Sequence, residues 1–520
     1  MKLMIQKSVF VLLFASLLFV AACGSDTTDD TANDEQDNTG EQAAGGTLNI
    51  ALDAAPPTLD QPVSTATATR DTSRLVFEGL VTTNADFEPV PMLAESIETD
   101  DNQTYTFHLR QGITFHNGEE MVAEDVIASM ERWLEKSTIT GNIFNGATWT
   151  AEDDYTVVLE LEQASALTLD ILASSKQAAA IMPKEVIDAA SAEGVEEYIG
   201  TGPYQFVEWR QDHYIKFEKY EDYQPVEMEA DGLSGQKEAL IDDIYFHIVT
   251  DPSTRLTGLQ TGEYDFAYNI PLDNYEQIQQ DDNLEPLLEP EATNFLGFNK
   301  LAGLGADFEM RQVINTALNA EDIMMAGYPH EDFYWLDPGY MDVNIKTWAS
   351  DAGSEYYNLN DPEKAKQMLD EMGYNGEEFR IITTRDYMQL YNIGVVIQEQ
   401  LNQIGMNASL DVYDWPTMLD IRDNQIDEWD AFISSSTAVS TPPQLLVLSP
   451  TWAGGVNDDH VQEVMAAIET APTTEEARAL WDELQLYAYE ELLPVVHFGG
   501  NNTLYAYNKK LSEVETTTGP

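Results

Sequence analysis

Alternating apolar and polar residues predict β-strands along much of the chain. A strand buried on one face repeats every second residue, and four segments follow that pattern. We expect these to be strands: 47–52, 104–110, 156–162 and 243–249. A hairpin is predicted from 204–209 and 214–218, around Gln211-Asp212.

Helical periodicity and helix-ending signals predict helices between the strands. One opens at Ala123, and two more begin near His460 and Thr474. Asp361-Pro362 and Gly373 bound a predicted helix over 362–372, and Gly405 ends another over 392–404. Because strands and helices interleave throughout, the predicted fold class is mixed α/β.

The N-terminus is typical of an export signal. Lys2 and Lys7 precede an almost purely apolar run over 9–20, which is too short to span a bilayer comfortably. Val20-Ala21-Ala22-Cys23 resembles a bacterial lipobox, in which cleavage exposes a cysteine that receives lipid. We expect a signal peptide over 1–22 and lipidation of Cys23; the alternative is an ordinary secretory signal in which Cys23 is incidental.

The next segment predicts a disordered tether. Residues 24–45 contain seven acidic residues and no basic one, with much Thr, Asn, Gln and Gly. A lipidated acidic tether over 23–45 would hold the folded body at the extracytoplasmic face of the cell membrane. Since Cys23 is the only cysteine, an intrachain disulfide and a cysteine-based metal cluster are both excluded.

The charge balance of the 520-residue chain is strongly acidic. There are 25 Lys and Arg against 92 Asp and Glu, a formal net charge of −67. Such a surface repels polyphosphates and anionic lipid, so nucleic acid is excluded as a partner. At 43% hydrophobic, the chain has enough apolar residues to build cores. We interpret the charge as adaptation to salt or alkali, because salt screens self-repulsion.

A search for catalytic patterns predicts that the protein is not an enzyme. There is no HExxH, no GxSxG and no phosphate-binding GxxxxGK[ST] segment, and no two of the seven histidines stand four residues apart. Among 92 carboxylates, acidic pairs occur by chance. We therefore expect no cofactor and no catalytic residue, and a secreted hydrolase remains only an alternative.

Several ordered segments resemble the extracytoplasmic solute-binding proteins of ABC transporters, specifically the peptide/nickel-binding family 5. The resemblance covers the chain from about residue 46 to the C-terminus. The order and spacing of the matching segments are more specific than any single segment. The segments are Leu93–Ser96, Tyr105–Gly118, Ala123–Val126, Gly200–Tyr204, Asp251–Asp265, Phe298–Leu318 and Lys364–Tyr374.

The resemblance implies a two-lobed, periplasmic-binding-protein type II-like fold with an extra domain inserted in the first lobe. The implied hinge strands lie near 270–290 and 490. We expect lobe I to be formed by 46–70, 198–285 and 490–520, the inserted domain by 71–197 and lobe II by 286–489.

Two positions are implicated by the dipeptide-binding branch of the family. Arg385, in Thr383–Tyr387, resembles the arginine that meets the ligand carboxylate, although Asp386 beside it offers an ordinary ion-pair partner. Val439 stands where that branch places the aspartate that binds the ligand amine. A conventional amine salt bridge is therefore missing at that position.

Other ligand-binding candidates follow from their place in the resemblance. Trp and Tyr side chains can stack on a ligand and also form a hydrogen bond, and Ser and Thr hydroxyls can form hydrogen bonds. The alternative is a structural role, as a core residue for tryptophan or as a turn cap for a hydroxyl residue. The candidates from lobe I and lobe II are Thr201, Tyr204, Trp335, Tyr413, Trp415, Ser436 and Thr437.

The implied function is capture of an extracellular peptide, oligopeptide or dipeptide, and its delivery to the permease subunits of an ABC transporter. The same role for an oligosaccharide or a nickel chelate is the alternative within this family.

Overall fold

The computed structural model describes residues 45–512 and residue 514. Its β-strands, in chain order, are β1 (Thr47–Leu52), β2 (Val81–Thr83), β3 (Pro89–Pro91), β4 (Ala94–Glu98), β5 (Thr104–Leu109), β6 (Thr148–Asp153), β7 (Thr156–Glu160), β8 (Tyr204–Arg210), β9 (Tyr214–Lys219), β10 (Asp243–Ile248), β11 (Phe266–Ala267), β12 (Leu284–Phe298), β13 (Tyr334–Trp335), β14 (Glu378–Thr384), β15 (Asn407–Tyr413), β16 (Ala431–Ser436) and β17 (Val495–Asn508).

The α-helices alternate with these strands, which confirms the mixed α/β class. They are α1 (Thr67–Ser73), α2 (Ala123–Lys136), α3 (Thr168–Leu172), α4 (Lys184–Ala189), α5 (Pro252–Thr261), α6 (Tyr275–Gln279), α7 (Phe308–Ala317), α8 (Ala320–Gly327), α9 (Pro362–Glu371), α10 (Met388–Gln403), α11 (Trp415–Asn424), α12 (Asp459–Glu469) and α13 (Thr474–Tyr487).

The strand and helix predictions are confirmed except at the start of α10. That helix begins at Met388, four residues before the predicted start. Leu390 is buried at 6% exposure, so the first turn packs on the core, while its neighbour Met388 is exposed and so gives that turn no clear apolar face in the sequence. The predicted hairpin forms as β8 and β9, and Asp212 in its turn adopts a positive φ of 57°.

Two long antiparallel strands connect the halves of the largest sheet. The order across that sheet is β15-β14-β16-β12-β17-β11-β1-β10-β9-β8, with β13 paired to β17. We call β12 and β17 the hinge ribbon. They pair from Leu284 with Asn508 to Gly297 with Val495, with register shifts at Pro290/Ala292 and Asn294/Phe295.

The hinge ribbon lies a few residues later than the sequence predicts, at 284–298 and 495–508 instead of near 270–290 and 490. The chain over 270–283 instead forms a short 3₁₀ turn and α6, whose Tyr275 and Ile278 are buried. The exact lobe boundaries stay a prediction. We use lobe I for the part around β1 and β8–β11, and lobe II for the part around β14–β16.

A separate four-stranded antiparallel sheet lies between α1 and β8 in the chain. Its order is β4-β5-β7-β6. Along β5, buried residues alternate with more exposed ones, as expected for a sheet covered on one face. Helix α2 buries Val126, Met130 and Trp133, three residues at helical spacing.

A buried ion pair ties α2 to the loop after β1. The Arg132 guanidinium donates to both carboxylate oxygens of Asp60, with a distance of 3.0 Å for Nη1 to Oδ1. Asp60 also accepts from the backbone N–H of Val195 at 3.0 Å. Since Asp60 is 0% and Arg132 6% exposed, neither charge has water to replace its partner.

The predicted signal peptide, Cys23 and most of the predicted tether lie outside the described residues. Within the described part of the chain, no helix is long and apolar enough to cross a membrane.

Candidate functional site

Three strands of lobe II end at the same edge of the sheet. β14 runs parallel to both β15 and β16, so their carboxyl ends, at Thr384, Tyr413 and Ser436, point the same way. Of the loops that follow these strands, the one after β16 reaches the cavity beside the hinge ribbon, through Thr437 and Ala438. In open α/β sheets, ligands characteristically bind outside the carboxyl ends of such strands.

A large cavity lies against the hinge ribbon. Its volume is about 1280 Å³, and both lobes and the segment between α1 and β8 contribute to its lining. The parts of the lining are 52–55, 64–68, Arg70, Asp71, 85–87, Lys176, Gln177, Gly232, Tyr268, Asn269, Leu287, 289–291, 342–346, Thr437, Ala438, Thr503, Tyr505 and Val514. A cavity of this size accommodates a small solute or a peptide.

The charged groups around the cavity are predominantly acidic. Three basic side chains, Arg70, Lys176 and Lys346, contribute to the lining. Six carboxyl groups do so as well: Asp53, Asp71, Asp86, Glu289, Glu291 and Asp342. Carboxyl groups thus outnumber basic groups in the lining by six to three.

Burial changes the proton affinity of several of these groups. It raises the pKa of Glu289 to about 7 and also raises the pKa of Glu291 and Asp342. Hydrogen bonds from Asn501 to Glu291 and from Asn344 to Asp342 oppose that rise. Burial, assisted by the positive charge of Arg70, lowers the pKa of Lys176.

Two polar contacts join opposite sides of the cavity. The Lys176 ammonium donates to the Thr437 hydroxyl at 3.3 Å, which links the loop after α3 to the end of β16. Lys346 of lobe II forms an ion pair with Asp86, in the turn between β2 and β3. These contacts hold the two walls together over the cavity.

Three sequence-predicted residues cluster at the edge of lobe II, outside the cavity lining. The Arg385 guanidinium stacks over the Tyr391 ring at 4.5 Å and donates to its hydroxyl at 3.0 Å. Trp415 packs edge-to-face on Tyr387. Its backbone N–H donates to Asp386 at 2.7 Å, so Asp386 links these loops and forms no ion pair with Arg385. Tyr413 ends β15 and is half-buried.

Three other predicted residues have structural contacts instead of a place in the described lining. Thr201 is 1% exposed, and its hydroxyl donates to Glu78 at 3.0 Å. Tyr204 begins the edge strand β8, and its hydroxyl accepts from the N–H of Ile241. The Trp335 indole lies over Gly500 of β17, where any added Cβ would clash with it.

The loop after β16 reaches the cavity and carries one of the ligand-binding candidates named above. Ser436 ends that strand opposite Thr293 of β12, and Thr437 lines the cavity. Val439 is half-buried two residues further on. Thr437 is thus the predicted ligand-binding residue that the structure brings to the cavity.

The sequence did not single out the residues on the hinge ribbon. Leu287 and Glu289 alternate along β12, and Thr503 and Tyr505 do so along β17, so each pair shares one face. Pro290 and Glu291 join the lining at the register shift of β12. The sequence offered one signal for them: Glu289 and Glu291 stand within a strand whose later residues are mostly apolar. That signal is weak in a chain with 92 acidic residues.

Within the described residues, no group of three or more His, Cys, Asp or Glu side chains is placed to hold a metal ion. The polar groups of the cavity are carboxylates, amides, hydroxyls and amines from separate loops. This chemistry suits hydrogen bonding and charge neutralisation of an organic solute.

Comparison with known families decides the identity of this architecture. The family model described as bacterial extracellular solute-binding proteins, family 5 middle, matches residues 88–457. The chain belongs to this family. The resemblance drawn from its sequence motifs is therefore confirmed.

Individual relatives agree over most of the chain. A probable peptide ABC transporter periplasmic-binding protein, y4tO of Sinorhizobium fredii, is 28% identical over 92% of this chain and 93% of its own. Among solved structures, AgaA of A. tumefaciens R10 in complex with agropinic acid has a TM-score of 0.71 at 25% identity, covering 91% and 96% of the two chains.

The oligopeptide-binding protein AppA of Bacillus subtilis, solved with a nonapeptide, has a TM-score of 0.69 at 22% identity, covering 91% and 96%. The structural neighbours share the type II periplasmic-binding-protein fold, so the predicted fold is confirmed.

Proposed function

We propose that this protein captures extracellular peptides in the cavity at the hinge ribbon and delivers them to the permease of an ABC importer. The observation that carries the proposal is a cavity of about 1280 Å³ lined from both lobes, in a member of an extracellular solute-binding family. The resemblance to the y4tO protein over 92% of the chain supports peptide as the solute class.

In this proposal the protein binds and releases its solute without making or breaking covalent bonds. Two strands connect the lobes, so rotation about β12 and β17 opens or encloses the cavity. A ligand that contacts both walls binds the enclosed state more tightly and shifts the population toward it. Permease subunits would then distinguish the enclosed, loaded form.

The cavity lining can satisfy the polar groups of a peptide backbone. Thr437, Asn269 and Thr503 supply hydroxyl and amide groups from three different elements. Asn269 is itself oriented, because its amide donates to Asp53 at 2.8 Å and its carbonyl oxygen accepts from Thr503 at 2.8 Å. Such partners replace the water that a peptide loses on entry.

Arg385 remains the proposed partner of a ligand carboxylate. It lies beyond β14, two strands from β12 and so roughly 10 Å from the hinge ribbon across the sheet. A ligand that contacts both Arg385 and the cavity must therefore span this distance along the edge of lobe II. An extended peptide has a suitable shape.

A non-peptide solute is the second candidate. AgaA, whose fold matches this chain, was solved with agropinic acid. The same cavity could serve a charged small molecule instead of a peptide.

Ligand profiling tests the proposal. The purified chain is analysed by mass spectrometry for co-purifying solutes, and thermal shifts are measured with peptides of two to nine residues and with oligosaccharides. We expect peptides to raise the melting temperature. A shift with a sugar and none with any peptide would overturn the peptide assignment.

We also propose that Cys23 is lipidated and anchors the protein to the cell membrane. The Val20–Cys23 lipobox-like segment supports this. Replacement of Cys23 by Ala should move the protein from the membrane fraction to the medium and abolish incorporation of labelled fatty acid. Unchanged fractionation of the variant would contradict lipidation.

A further inference from the structure

One face of the hinge ribbon forms the floor of the cavity. Leu287 and Glu289 line it from alternate positions of β12, and Thr503 and Tyr505 do so from β17. Glu291 lines it at the register shift that follows Pro290. Glu289 is directly opposite Thr503 in the register. Its carboxyl group therefore lies at the meeting point of the lobes.

Glu289 differs from the other carboxyl groups of the lining because it has no partner. It is only 8% exposed, and no hydrogen bond or ion pair reaches its side chain from the described residues. By contrast, Glu291 accepts from Asn501 at 2.9 Å, and Asp53 accepts from Asn269. A buried carboxylate without a partner is costly, so this position calls for a counter-charge.

The basic residues of the cavity do not supply that counter-charge. Arg70 forms an ion pair with Asp71 at 2.9 Å. Lys346 pairs with Asp86, and Lys176 donates to Thr437. Each of these cations is thus engaged at another group.

We propose that Glu289 binds a cationic group of the solute, an ammonium or a guanidinium, with Glu291 and Asp53 adding negative charge around it. This inference rests on the proposed function and names the chemical class of its ligand. Where that cation is the ligand N-terminus, the inference also accounts for Val439, because the amine is then met on the hinge ribbon and not in the loop after β16.

A ligand ammonium has two sources, the N-terminus and a basic side chain. Four matched peptides separate them: Ala-Lys-Ala, N-acetyl-Ala-Lys-Ala, Ala-norleucine-Ala and N-acetyl-Ala-norleucine-Ala, each with a free carboxylate. Titration calorimetry at pH 8 measures the dissociation constants for the wild-type chain, for Glu289→Gln and for Glu463→Gln. Glu463 is an exposed glutamate of α12 that does not line the cavity, so its variant is the matched control.

We expect the wild type and Glu463→Gln to bind Ala-Lys-Ala at least tenfold more tightly than N-acetyl-Ala-norleucine-Ala, which has no ammonium group. Glu289→Gln should lose that preference while keeping its affinity for the peptide without an ammonium group. Loss of preference on acetylation identifies the N-terminus as the cation, and loss on norleucine substitution identifies the side chain.

Two results overturn the inference in different ways. If Glu289→Gln retains the full preference for cationic peptides, the assignment of Glu289 is wrong while peptide capture stands. If the wild-type chain binds none of these peptides, nor any other peptide of two to nine residues, the proposed function fails together with the inference.

Discussion

Replacing Glu289 by Gln should stabilise the ligand-free protein, and more so as the pH rises. Burial raises the pKa of this carboxyl group from 4.5 to about 7. The folded chain therefore binds the Glu289 proton more tightly than the unfolded chain does. Stability from this group is fully present below about pH 4.5 and is lost as the pH rises through about 7.

The difference between the two pKa values sets the magnitude. At pH 8 the ionised Glu289 costs the folded state about 3 kcal/mol, and at pH 5 the cost is below about 1 kcal/mol. Gln has nearly the same shape and no charge, so the variant avoids this cost. The advantage of Glu289→Gln should grow by about 2 kcal/mol between pH 5 and pH 8.

Scanning calorimetry of the ligand-free protein measures this difference. For a body of this size the unfolding entropy is roughly 1 kcal/mol/K, so the melting temperature of Glu289→Gln should exceed that of the wild type by about 3 °C at pH 8. Asp53, Arg70, Asp71 and Glu291, other charged groups of the lining, are present in both proteins, so the comparison isolates the Glu289 carboxyl group. The Glu463→Gln control should show no pH-dependent difference.

Two outcomes would refute this reasoning. If the variant and the wild type differ by the same amount at pH 5 and pH 8, the Glu289 carboxyl group titrates in the folded protein as it does in the unfolded chain. If the variant is less stable at every pH, burial of the Glu289 charge is not what limits the stability of the folded protein at this position.

Three further predictions follow from other parts of the structure. Arg132→Met should destabilise the protein by about 3 to 5 kcal/mol in urea unfolding, since Asp60 would keep its buried charge without a counter-ion. Lys184→Met, which breaks a solvent-accessible ion pair with Asp188, should cost far less, and equal losses would contradict the argument. Arg385→Ala should weaken binding of peptides with a free carboxylate by more than tenfold and leave amidated peptides unaffected; unchanged calorimetric affinities would end that assignment. Molar salt should raise the melting temperature, because it screens a net charge of −67; a flat response would remove the salt interpretation.

Local sequence was sufficient for most of the secondary structure. Alternation in Thr104–Leu109 produced a strand whose buried residues also alternate, and Asp361 caps α9 by accepting from the N–H of Lys364 at 2.9 Å. These features depend on neighbours within a few residues. The start of α10 was missed because the burial of Leu390 depends on distant strands.

The candidate site was much less accessible from sequence. Thr437 was predicted and reaches the cavity, whereas Thr201 is committed to Glu78, a partner 123 residues earlier in the chain. Asp386 likewise contacts the backbone of Trp415 and does not pair with Arg385. A side chain's role depends on which partner folding brings to it, and that partner is rarely a neighbour in sequence.

By itself the sequence determined the α/β class, the family and the acidic surface, since these follow from periodicity, motif order and composition. Only the tertiary structure decided which carboxyl group among 92 acidic residues stands out. Glu289 becomes distinctive because β12 pairs with β17, more than 200 residues later, and buries it at the cavity floor. Burial and the absence of a partner are properties of packing, which no local pattern records.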